Sequence, residues 1–167
     1  MTTPSPPASQ RASEVRTLLE QALPLMGVEA HVVVTEAADG SLQADISSND
    51  LSILIGGRGR TLNALQCLAN VAANSGHDGD WTRVVLDAEG YRERRKESLE
   101  SCAEKLAAQA LEEDREVELE PMNAFERRIV HCALAERVDV VTGSRGEEPY
   151  RCVVIAPAPA EEQPEHS

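Results

Sequence analysis

Apolar residues recur at helical spacing in several long stretches of this chain and alternate at strand spacing in shorter ones. The first helical face begins near Ala12 and carries Val15, Leu18, Leu19, Ala22 and Leu25. Two strand-like runs, 31–34 and 42–46, flank Ala38-Asp39-Gly40-Ser41, and Asp-Gly between such runs predicts a hairpin. A short helix over 50–55 passes through a glycine-rich turn into a helix over 61–74. Ser75-Gly76 and His77-Asp78-Gly79 end that helix, and 82–87 reads as the next strand. The order is α-β-β-α-turn-α-β.

The second half begins with a long helix over 91–111, with Leu99, Cys102, Leu106 and Ala110 on one face. Arg92, Arg94, Arg95 and Lys96 are interleaved with Glu93 and Glu97, the pattern of a solvated, salt-bridged face. Val117-Glu118-Leu119 alternates like a strand. Asn123 with Glu126 three residues on is a capping box, opening a helix to about 136 that should bury Phe125, Ile129 and Ala133. Residues 138–142 and 151–155 supply two more strands around Gly146-Glu147-Glu148-Pro149. Residues 1–11 and those from 157 onward are rich in Pro with Ser/Thr or Ala/Glu and read as disordered tails. The fold class is α+β.

Composition narrows the chemistry. Aromatic residues are 2% of the 167, so the core must rest on Leu, Val, Ile and Ala. Trp81, Tyr91 and Tyr150 are too scattered for a stacking platform, and Trp81 at a strand start is expected in the core. No run nears the roughly 18 apolar residues of a membrane span, and the N-terminus lacks a secretory pattern. The expectation is a soluble, cytoplasmic protein without membrane insertion. Cys67, Cys102, Cys132 and Cys152 form no Cys-x-x-Cys pair and read as small buried hydrophobes, not metal ligands or disulfides. No nucleophile with a nearby base is legible, so neither catalysis nor a cofactor is expected.

Charge points first away from nucleic acid and then back. The formal net charge is -13, but part of the acid forms one block at Glu112-Glu113-Asp114, Glu116, Glu118 and Glu120, and more sits in the tail. Residues 51–77 contain no Asp or Glu, and in their middle stands Gly56-Gly57-Arg58-Gly59-Arg60-Thr61. Glycine lets a backbone approach a ligand closely. The helix that follows turns its free N–H groups and positive dipole end toward the turn, which makes it a seat for phosphate. Arg58 and Arg60 can neutralise that phosphate. The nucleotide-binding loop ending in Gly-Lys-Ser/Thr and the Gly-x-Gly-x-x-Gly fingerprint are both absent, so nucleotide chemistry is not expected. A second cluster is Arg127-Arg128-Ile129-Val130-His131. Arg127 and His131, four apart, share a helix face, where a guanidinium and a charged imidazole can both meet phosphate oxygens. Arg145 and Arg151, on neighbouring strands, can add to that cluster.

The glycine turn within its α-β-β-α-turn-α-β setting resembles a K-homology (KH) domain of the type common in bacteria, known as type II. Residues 120–131 followed by Gly146-Glu147-Glu148-Pro149-Tyr150-Arg151 look like the R-3-H domain, named for its Arg-x-x-x-His spacing. The pair, KH over 12–89 and R-3-H over 90–156 with its long connecting helix, resembles the bacterial Jag family, here without an N-terminal Jag domain. The resemblance implies that the turn clamps a short stretch of single-stranded RNA or DNA. Bases would then lie against Ile53, Ile55, Leu62 and Leu65. It also implies a small stand-alone KH protein as partner, and links to cell elongation and the envelope. KH domains usually carry a basic residue at one or both middle positions of the turn; Arg58 keeps one, and Gly57 replaces the other. Together with the acidic charge, that replacement is what a protein-interaction scaffold with vestigial RNA binding would show.

Overall fold

Leu42, Ala44 and Ile46 alternate with exposed neighbours along a seven-residue strand and are fully buried, so this strand carries one wall of a core on a single face. The computed structural model describes residues 8–76 and 79–159; of the expected tails at 1–11 and 157–167, residues 1–7 and 160–167 lie outside the described residues, and Pro157 instead ends the last strand. The chain divides into two units, 1–92 and 93–167.

The first unit runs α1 (Ala8–Leu25), β1 (Ala30–Glu36), β2 (Leu42–Ser48), α2 (Leu51–Ile55), a 3-10 turn at Gly57–Gly59, α3 (Arg60–Asn74) and β3 (Val84–Ala88). The sheet order is β1-β2-β3, antiparallel between β1 and β2 and parallel between β2 and β3. The predicted hairpin is present: Gly40 sits at φ 78°, and Asp39 accepts hydrogen bonds from the Ser41 N–H at 3.0 Å and its hydroxyl at 2.6 Å. Val15, Leu19 and Leu23 of α1 and Leu62, Leu65 and Ala69 of α3 pack onto the sheet.

Two expectations shift here. The N-terminal helix starts four residues before Ala12, and Arg11, expected in a tail, is 4% exposed. Its Nη1 donates to Asp80 O at 2.9 Å and to the Thr82 hydroxyl. The buried stripe of α1 ends at Leu23. Leu25 is 89% exposed because Pro24 and the left-handed Gly27 turn the chain there.

The second unit holds α4 (Tyr91–Glu112, its first two residues belonging to the first unit), β4 (Val117–Glu118), α5 (Ala124–Ala133), β5 (Val140–Arg145) and β6 (Cys152–Pro157). Its sheet is antiparallel throughout, in the order β4-β6-β5. The core joins Leu99, Ala103, Ala107 and Ala110 of α4 to Val130, Val140, Val153 and Ile155. Small alanines let α4 approach closely, and Cys102, expected on that face, is exposed.

α5 corrects the sequence reading by about one residue of rotation. The capping box is present, with the Glu126 N–H donating to Asn123 Oδ1 at 2.9 Å. The helix stops at Ala133, and it buries Glu126, Arg127 and Val130 while Phe125 is 66% exposed. Polar partners cause this: Glu126 takes Arg95 Nε at 2.7 Å, so an ion pair occupies the place a phenyl ring was expected to fill. Trp81 is likewise 68% exposed, and Cys67 and Cys132 face solvent; only Cys152 is buried.

Candidate nucleic-acid interface

In the first unit, α2 and α3 meet at a turn whose shape only glycine allows at two of its four positions. Gly56 adopts φ 69°, and a Cβ there would strike the Thr61 side chain. Gly59 adopts φ 77°, and a Cβ there would lie 2.9 Å from Tyr91 Cε1. Between them Arg58 is also left-handed, at φ 58°, a conformation that costs a residue with a Cβ roughly 1–2 kcal/mol. Gly57 has no such constraint: a Cβ would meet only the Arg60 guanidinium, 3.2 Å away at Nη2.

The electrostatics follow from this backbone. Gly59 is the N-cap of α3 and brings no side-chain acceptor, so no side chain caps the helix start. Arg58 and Arg60 are both exposed beside it, and Arg60 Nε donates to Gly57 O at 3.3 Å. The nearest preceding carboxylate in the sequence, Asp50, is committed to capping α2. It accepts from the Ser52 N–H at 3.1 Å and hydroxyl at 2.7 Å, bonds that hold its carboxyl below the usual carboxylate range. Thr61 is half-buried against Gly56. The expected apolar groove is narrower than its four residues: Ile53 is 44% exposed and Ile55 half-buried, but Leu62 and Leu65 belong to the core.

In the second unit the Arg-x-x-x-His pair is together on α5 but differently engaged. Arg127 is 8% exposed; its Nη1 donates to Met122 O at 2.6 Å and its Nη2 to Glu148 Oε1 at 2.7 Å. His131 is half-buried, with Nδ1 2.7 Å from Thr142 Oγ1 and Nε2 3.1 Å from Ser144 Oγ. Burial, and then the Arg127 charge, push its pKa below the ordinary 6.5. Both effects favour the neutral ring, so the charged imidazole expected from the sequence requires a compensating anion. Arg128 is exposed and Arg151 half-buried, each without a carboxylate partner among the described residues. Arg145 is held by Glu116, on Oε1 at 2.7 Å and Oε2 at 2.8 Å, and by Glu118 at 2.7 Å.

Thr142, Ser144 and Glu148 were not legible as site residues. Period-two alternation puts Thr142 and Ser144 on one face of β5, but nothing in their spacing ties them to a histidine more than ten residues earlier. Among the described residues no cluster of His, Cys, Asp or Glu could hold a metal ion, and no helix is long and apolar enough to cross a membrane.

Two stretches of the chain match known domains. Residues 14–86 match the KH domain of the KhpA/KhpB type and residues 97–157 match the R-3-H domain. The RNA-binding protein KhpB of Clostridium symbiosum is 42% identical over 161 residues, covering 91% of this chain and 72% of that protein. KhpB of Lactiplantibacillus plantarum is 38% identical over 154 residues (89% of this chain, 47% of the relative). KhpB of Bacillus subtilis is 38% identical over 126 residues (74% and 60%). The chain thus spans between about half and three quarters of the length of these relatives. With both domains matched and most of the chain aligned to one relative at 42% identity, it belongs to the KhpB family.

Proposed function

We propose that this protein binds single-stranded RNA, catalyses no reaction, and acts in the cytoplasm as a post-transcriptional regulator. One observation carries the reading: a helix start at Gly59 without a side-chain cap, with exposed Arg58 and Arg60, inside a stretch free of acid, in a chain of net charge -13. Gly56 and Gly59 give the turn its left-handed shape, the α3 N–H groups meet the oxygens of a sugar-phosphate backbone, and the two arginines neutralise it. Arg127, Arg128 and His131 form the second contact, with Arg151 beside them. In this reading Arg145 serves the second contact only if a phosphate competes with Glu116 and Glu118. The relatives' name, RNA-binding protein, supports the same assignment.

Replacing Gly57 and Arg58 together by Asp should weaken binding of a labelled single-stranded RNA at least tenfold, with the melting temperature close to wild type. Fluorescence anisotropy and a thermal melt measure the two quantities. Unchanged affinity would remove the turn from the site, and wild-type protein that binds no RNA at low salt would leave the scaffold reading.

The partner belongs to α3. Ala64, Cys67, Leu68 and Val71 fall at i, i+3, i+4 and i+7 and are all exposed, Leu68 at 53% and Val71 at 59%. No charged residue interrupts positions 61–76. Such an apolar stripe on an acidic protein is an interaction surface, and we assign it to the small stand-alone KH protein that the family resemblance implies. Leu68→Glu should abolish co-elution with that partner on size exclusion while the fold is retained. Undiminished co-elution would place the contact elsewhere.

A further inference from the structure

A buried guanidinium has to keep an anion or several hydrogen bonds, because leaving its charge unpaired in a poorly solvated place is costly. Arg127 meets this need in two unequal ways. Nη1 is anchored on the Met122 carbonyl at 2.6 Å, a backbone contact that fixes the plane of the group. Nη2 points instead at Glu148, 2.7 Å away, on the turn between β5 and β6. The two partners differ sharply in exposure: the Arg127 side chain is 10% exposed and the Glu148 side chain 59%. The carboxylate can therefore swing into water, while the guanidinium cannot. The turn does not need this contact to stay closed, since Tyr150 N donates to Glu147 O at 2.8 Å and Gly146 takes the left-handed bend at φ 87°.

We propose that Glu148 occupies, in the free protein, the place that an RNA phosphodiester takes on Arg127, and that it thereby sets the affinity of the second site. The proposal rests on the RNA-binding reading given above. A phosphodiester carries the same single charge as the carboxylate and offers the same pair of oxygens to an N–H donor. Binding is then an exchange of anions at Nη2, with Glu148 released to solvent and Nη1 unmoved on Met122. Arg128, exposed next in sequence and without a carboxylate partner among the described residues, gives the incoming backbone a second cation that it need not compete for. The exchange makes weakly charged ligands poor competitors, because they must displace an ion pair for one contact. A polyanion gains several contacts for the same displacement.

The test uses the full chain, a fluorescein-labelled single-stranded RNA of about twenty nucleotides, and anisotropy at fixed salt. Three proteins are compared: wild type, Glu148→Gln and Glu147→Gln. The glutamine at 148 can still accept from Arg127 Nη2, so the pocket keeps its shape and loses only the competing charge. Glu147→Gln removes the same charge one residue away, from a side chain outside the Arg127 contact. Glu148→Gln should tighten binding about two- to fivefold, the scale of one part-exposed ion pair. Glu147→Gln should change it by less than half of that. The gain should persist when Gly57 and Arg58 are both changed to Asp, which reports on the second unit with the first impaired. Equal effects at 147 and 148 would reduce the result to general charge and overturn the proposal. So would binding unchanged or weakened by Glu148→Gln, with or without a lower melting temperature. RNA that fails to bind the wild type removes the RNA-binding reading itself; RNA that binds but ignores Glu148 removes this proposal alone.

Discussion

Gly57 and Gly59 stand two residues apart and have opposite tolerances. At Gly57 an added side chain meets only the movable end of Arg60, 3.2 Å from the Cβ position. Gly57→Lys should therefore fold normally and add a cation at a middle position of the turn. The slope of log affinity against log salt should steepen by about 0.7, one further phosphate on a single strand. At Gly59 the backbone is left-handed at φ 77° and the ring of Tyr91 closes the space, 2.9 Å from a Cβ. Gly59→Ala should cost about 1–2 kcal/mol for the backbone alone, read as a lower midpoint in urea, plus the displacement of Tyr91. A Gly59→Ala protein as stable as wild type would show that the ring gives way freely. The two outer glycines were legible because G-x-x-G geometry is local. The packing of Tyr91 against the second of them was not, since contact across more than thirty residues leaves no periodic trace. The same limit explains Arg127: helical spacing put it on a face with His131, but its partner Glu148 comes from a turn 21 residues on.

At the scale of elements, every predicted helix and strand is present, because each rests on a local period or cap. Asn123 and Glu126 announced the start of α5, and Asp39-Gly40 the hairpin, through hydrogen bonds within three residues. Errors lie where a distant partner overrides the period. β5 begins at Val140, not 138; Val138 is 91% exposed while Arg137 pairs with Asp139 and with Glu104 of α4. α3 shows a further case. Gln66, Asn70 and Asn74 fall one turn apart and look like an ordinary polar face. In the structure they cover the outer edge of β3: Gln66 Oε1 accepts from Leu86 N at 3.1 Å, Asn70 Oδ1 from Val84 N at 2.9 Å, and Asn74 Oδ1 from Thr82 N at 2.8 Å. An edge that would otherwise invite another strand is thus closed by side chains of the protein's own helix. This leaves the other face of α3, with Leu68 and Val71, as the outward surface of the helix. One helix therefore has three distinct parts: its start faces the glycine turn, one flank seals the sheet, and the opposite flank is exposed and is the one we assign to a partner.

For the whole molecule the net charge of -13 is the strongest objection to an RNA partner. Screening limits its reach, since charges more than roughly 8–10 Å away contribute little at physiological salt. The positive groups near each site then decide, and each site alone has few: Arg58 and Arg60 in the first unit, Arg127, Arg128 and Arg151 in the second. Single contacts of this kind are weak and salt-sensitive. Two on one chain strengthen each other through effective concentration, provided that one strand engages both. Chain length of the RNA separates the alternatives. If the glycine turn works alone, affinity should level off once the strand exceeds the four or so nucleotides a KH turn clamps, apart from a small statistical gain. If both units engage, affinity should rise by about a hundredfold between strands of five and twenty nucleotides. That rise should shrink when Arg128 and Arg151 are both changed to Ala, which removes exposed and half-exposed cations without touching the Arg127–Glu148 pair. Competition titrations with unlabelled strands of graded length measure both curves. A length dependence equally steep in the double variant would mean that Arg128 and Arg151 take no part in holding RNA, and that any second contact rests on Arg127 and His131.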